Sequence, residues 1–127
     1  MRKVLCILFF LFIIPAAMVF ATPPTSISLS YDQDKGNLHV EAVHPSFDLE
    51  KSYVRLMNVY VNGTQVQTLD YFKQGDYNKF TDDVPVTAQV GDVIKVDLFC
   101  SLGGEMAKEL TVTKATATNS TADNAAN

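Results

Sequence analysis

The side chains that could do chemistry in this chain are few. Its 127 residues include two histidines, His39 and His44, and two cysteines, Cys6 and Cys100. An imidazole and a thiolate can ligate a transition metal, and a lone thiol can also react on its own. His44 ends a run in which Leu38, Val40 and Ala42 share its parity, and Cys100 ends one in which Ile94, Val96 and Leu98 do the same. Each is therefore expected to face inward at the C-terminal end of a strand. His39 falls on the opposite parity and should point away from any site that His44 joins. Other chemistry is absent: there is no phosphate-cradling glycine loop, no C-x-x-C and no hydrolase nucleophile motif. The carboxylates Asp32, Asp34, Asp48, Glu50, Asp82 and Asp83 fall in expected loops and read as solvated. Asp82-Asp83 lacks the spaced oxygen ligands of a calcium loop.

The elements that must position His44 and Cys100 read as short strands. Val90 to Val112 folds back on Gly103-Gly104, with Ile94, Val96, Leu98 and Cys100 alternating against Lys95 and Asp97. Ile27, Leu29 and Tyr31 alternate with serines, and Leu38 to His44 follows after a turn at Asp32 to Asn37. Pro45 lacks a donor for the ladder and stops the second strand. Tyr53 to Val61 is the longest β-rich run, and Asn62-Gly63 turns it into Thr64 to Leu69. Asp70 to Lys79 is irregular and aromatic. Phe80 to Val90 holds a strand around Val84-Pro85-Val86, with Pro85 marking an edge or a bend. About seven short strands and no helix of ordinary length predict an all-β, immunoglobulin-like antiparallel β-sandwich.

Both ends of the chain differ from this middle. Arg2 and Lys3 precede an apolar run from Val4 to Ala21, and the polar Thr22-Pro-Pro-Thr25 follows. That order reads as a secretory signal peptide over residues 1–21, with an uncleaved membrane anchor as the alternative. Ala115 to Asn127 is Thr, Ala, Asn and Ser without apolar periodicity and reads as a disordered tail. The domain is then residues 22–114, in the periplasm or outside the cell. Losing Arg2 and Lys3 lowers the basic count from 10 to 8 against 14 acidic residues, a balance of −6. That excess opposes nucleic acid and anionic membrane surfaces as partners, so membrane association would come only through an uncleaved leader. With Cys6 in the leader, Cys100 has no intrachain disulfide partner, and stability rests on a packed core.

The order of segments carries a resemblance. L-H-V-E-A-V-H-P, then Y-V-R-L-M-N-V-Y-V-N-G, then a strand with Phe80, then C-S-L-G-G, resembles the iron-binding domain of desulfoferrodoxin and neelaredoxin, the superoxide reductases. The likeness runs from about Ile27 to Val112. It implies an immunoglobulin-like sandwich with ferrous iron held by four histidines and one cysteine thiolate. His44-Pro45 matches the family's H-P pair, Cys100 the thiolate ligand and Gly104 the glycine that ends its C-N-x-H-G motif. Ser52 and Gly103 stand where two ligand histidines are expected, and the family's N-terminal E-K-H segment has no counterpart. Two of five ligands, His44 and Cys100, remain.

Three functions follow as expectations. One is an exported sandwich that has lost the iron centre, expects no cofactor, and serves as a binding or structural module for an unknown protein or small ligand. A second is a superoxide reductase-like redox protein with a reduced iron site of His44, Cys100 and either Glu105 or Met106. A third is a sulfur carrier, opposed by the expected burial of Cys100, because a carrier thiol belongs on an exposed arm.

Overall fold

The structure is a computed structural model and describes residues 23–114. The expected signal segment, with Cys6, and the expected tail lie outside the described residues. Seven strands follow one another: β1 (Ser26–Asp32), β2 (Asn37–Val43), β3 (Val54–Val61), β4 (Thr64–Asp70), β5 (Lys79–Pro85), β6 (Val93–Cys100) and β7 (Glu105–Thr111). They form two antiparallel sheets, β1-β2-β5 and β4-β3-β6-β7. This is the immunoglobulin-like sandwich that the alternation predicts. The strand after the third joins β3, giving three- and four-stranded layers.

The sandwich forms because each strand has one apolar parity. Leu38, Val40 and Ala42 of β2 face Ile94, Val96 and Leu98 of β6 across the layers, all fully buried. Val54, Met57 and Val59 of β3 complete the centre, again with no exposure. The parity of β3 changes between Val54 and Met57, where its pairing with β6 shifts register. A bulge there keeps both residues inward. Each fully buried aliphatic side chain contributes about 1.5–3 kcal/mol relative to exposure.

Two turns close one end as the sequence predicts. Asn62 and Gly63 both have positive φ, 50° and 82°, the pair of values a type I′ hairpin requires. The Asn62 side chain adds two bonds, donating to Asp92 Oδ1 at 2.9 Å and accepting from the Val93 amide at 2.9 Å. The β3–β4 turn is thereby tied to the start of β6. One expectation needs correction. Asp82 and Asp83 lie within β5, which starts at Lys79, rather than in a loop. Pairing with β2 places Asp82 opposite Val40 and Asp83 opposite His39, and this ladder extends the strand toward Lys79.

A candidate site at the loop end of the sandwich

His44 follows β2 directly, and Cys100 is the last residue of β6. They belong to opposite sheets but to the same end. A Cβ added to Gly104, just before β7, would lie 2.8 Å from the Pro23 Cβ, just before β1. The starts of β1 and β7 are thus side by side. Val43 pairs with Ser26 at the start of β1, and Phe99 with Glu105 at the start of β7. Both residues are inward, as their parity predicts: His44 is fully buried and Cys100 is 4% exposed. His39 is on the outer face and meets Asp83 Oδ1 through Nδ1 at 2.9 Å.

The environment of His44 is a hydrogen-bonded knot. The buried Gln74 donates from Nε2 to the carbonyl oxygens of His44, at 2.9 Å, and Asp76, at 2.7 Å. Two carbonyl acceptors fix which end of the amide is nitrogen. Its Oε1 therefore faces His44 Nδ1 at 2.8 Å as the acceptor of that hydrogen bond. Backbone bonds complete the knot: His44 N–H to Asn78 O at 3.0 Å, Ser46 N–H to Tyr77 O at 2.7 Å, and Gln74 N–H to Leu49 O at 2.9 Å. The β2–β3 and β4–β5 connections are held as one unit. The sequence did not single out Gln74. Nothing in K-Q-G-D distinguishes a buried glutamine from a solvated one, since its partner lies 30 positions away.

The other positions implied by the resemblance do not make an iron site. Ser52 is fully buried but brings a hydroxyl rather than an imidazole. Gly103 has φ 94°, a backbone conformation that a histidine rarely adopts. Glu105 is exposed at the start of β7 and Met106 half-buried. Burial pushes the Cys100 thiol up to about 11. No group of three or more His, Cys, Asp or Glu side chains that could hold a metal occurs among the described residues. His44 and Cys100 alone do not fit a centre that needs imidazole donors around iron.

The outside of the same end is aromatic. Phe47 is 71% exposed, Phe72 81% and Tyr77 59%. An open groove of about 500 Å³ is lined by Tyr71, Lys73, Gln74, Asp76, Lys79 and Asp82 among others. The Tyr71 ring packs edge-on against Phe80, with centroids 4.9 Å apart, and its hydroxyl donates to Asp82 Oδ2. Burial, and the hydrogen bond to a carboxylate, push the Tyr71 phenol well up, so it stays a donor. The chain matches no family model, and no curated protein matches it.

Proposed function

We propose that the chain is an exported, desulfoferrodoxin-like β-sandwich that has lost the iron centre and serves as a binding module. The observation that supports this best is the knot at His44. The histidine of the H-P pair holds two loops together through Gln74, and glycine and serine stand at two of the other ligand positions. What the resembled family devotes to a metal is here devoted to fixing loop shape. A fixed loop surface binds with less ordering entropy to offset, which suits a recognition role.

A second reading has one observation in its favour. His44 directs its Nδ1 at a protein oxygen, the Gln74 Oε1, as imidazoles that ligate metals commonly do. The two readings part on iron binding. The chain is exposed anaerobically to Fe²⁺, desalted and analysed for metal, then oxidised for a visible spectrum. The binding-module reading expects iron far below one per chain and no charge-transfer band. One iron per chain, with a thiolate-to-iron band that Cys100→Ser abolishes, would overturn it.

A further inference from the structure

We propose that Asn62-Gly63 is a site of spontaneous deamidation, which the fold holds back by bonding the Asn62 side chain to the start of β6, and which frees the β3–β4 turn from that anchor once it occurs. The chain has a single asparagine followed by glycine, and it stands at the tip of this hairpin. In such a pair the Gly63 amide nitrogen attacks Asn62 Cγ. A C–N bond forms, the Cγ–Nδ2 bond breaks, and Nδ2 leaves as ammonia with the proton of the Gly63 amide. Water then opens the five-membered succinimide at either carbonyl, leaving aspartate or isoaspartate at position 62. One water is consumed and one ammonia released, with no change of oxidation state. Glycine favours the attack because no side chain shields its nitrogen, and a Cβ added to Gly63 would meet nothing within 4 Å. Asn62, Gly63 and Thr64 are all exposed, so water reaches the site.

Three bonds hold Asn62 to β6. Its backbone amide donates to Val93 O at 2.9 Å, its Nδ2 donates to Asp92 Oδ1 at 2.9 Å, and its Oδ1 accepts from the Val93 amide at 2.9 Å. Both ends of the carboxamide are engaged. Its carbon reaches the Gly63 nitrogen only after turning away from Asp92 and Val93, so the reaction draws on a locally opened turn. The anchor is itself braced. Asp92 Oδ2 accepts from the Gln89 amide at 2.8 Å, and the Val112 amide donates to Asp92 O at 2.8 Å. The clasp thus joins the β3–β4 turn, the turn before β6 and the residue that follows β7.

The product reverses the sign of the contact. Deamidation replaces the Nδ2 donor by a second carboxylate oxygen, set against Asp92 Oδ1. Hydrogen bonds from the Gln89 amide and from Asn62 hold the Asp92 carboxyl below the usual carboxylate range, so it is an anion at neutral pH. Two carboxylates then face each other with no proton between them, and an attraction becomes a repulsion. Isoaspartate also lengthens the backbone by one carbon, which the paired φ values of 50° and 82° in a two-residue turn do not accommodate.

The test incubates the full chain at mildly alkaline pH, folded and in denaturant, and digests it with trypsin. The peptide from Leu56 to Lys73 carries both Asn58 and Asn62, and fragment masses show which has lost its amide. Conversion at Asn62 is expected in denaturant, with Asn58 unchanged, and about tenfold or more slower in the folded chain. Asp92→Ala should speed the folded chain about fivefold or more, the factor that one lost hydrogen bond is worth. Asn62→Asp reproduces the aspartyl product, and amide exchange at residues 60–66 and 90–94 should quicken about tenfold. Adding Asp92→Asn puts a donor opposite the new carboxylate while its oxygen still accepts from Gln89, and should recover most of that protection. This reciprocal pair needs no result from Asp92→Ala, should that variant fail to fold. Absence of conversion in denaturant, or equal rates in the folded and denatured chain, would overturn the proposal. So would native exchange in Asn62→Asp, or a failure of Asp92→Asn to rescue it. None of these readouts depends on iron loading or on the binding-module reading.

Discussion

The two ends of the sandwich are built by different means. At the end of the β1–β2 and β3–β4 turns, the backbone is set by local residues. Gly36, Asn62, Gly63 and Gly91 all take positive φ where the chain reverses or bends. At the other end the β6–β7 turn is again local, with Gly103 and Gly104 at φ 94°, but the β2–β3 and β4–β5 connections are longer, and a buried polar pair, His44 and Gln74, ties them together. Local turns depend on the conformational preferences of one or two residues. The loop end depends on a long-range hydrogen-bond network, which costs more to break because it is buried.

The largest expected effect comes from cutting that network. Gln74→Leu fills similar volume but leaves His44 Nδ1–H and the His44 carbonyl without their glutamine partner. The change should cost about 3 kcal/mol, since each buried group stripped of its hydrogen bond costs about 1–3 kcal/mol. Chemical denaturation would measure it, and amide exchange should quicken across residues 44–52 and 71–79 together. A cost within error of zero would mean that water takes over those bonds and that the network does not hold the loops.

Next in size is the turn end. Asn62→Pro cannot take φ 50°, and it also removes the Asn62 amide that donates to Val93 O and the side chain that reaches Asp92 and Val93. A loss of about 2–3 kcal/mol is expected from backbone strain and the missing bonds. Its exchange effects should stay near residues 60–66 and 90–94. An unchanged melting temperature would show that the hairpin does not depend on this turn.

The smallest effect tests the interior beside the loop end. Cys100→Ser places a hydroxyl in a thiol-sized apolar site and should cost about 1–2 kcal/mol. The native thiol also gives a pH signature. Its pKa is raised from 9.0 to about 11 by burial, so the folded state prefers the protonated form. The associated stability is fully present below pH 9 and is lost as pH climbs toward 11. Alkaline melts of the wild type should therefore fall more steeply over that window than those of Cys100→Ser. Identical slopes would mean that the thiol titrates alike in the folded and unfolded chain.

The contrast between the ends also explains what the sequence made legible. Most strands were readable because period-two patterning is local: Leu38, Val40 and Ala42 reveal β2 without knowledge of its neighbours, whereas the strand expected from Phe80 to Val90 ends at Pro85. Asn62-Gly63 carries its turn in the same way. The inward direction of His44 and Cys100 followed from parity alone. Asp82 and Asp83 misled because charge suggested a loop, whereas β5 is an edge strand and can carry charge on one face. Gln74 was invisible because its burial depends on which loops meet, and no pattern within seven residues of it records that.

The neighbouring placement of β1 and β7 has a mechanical consequence. Both strands run from the loop end to the turn end, and they pack against each other at the starts marked by Pro23 and Gly104. The described chain therefore enters at one end, near Pro23, and leaves at the other, where Val112 bonds to Gly91 and Asp92. A tension applied through the two termini acts along the strands. To withdraw β1, all its bonds to β2, from Ser26 opposite Val43 to Asp32 opposite Asn37, must slide at once. Unzipping them one at a time would need a force across the strands. Resistance to such an extension would be a matter of rate and so of the unfolding barrier.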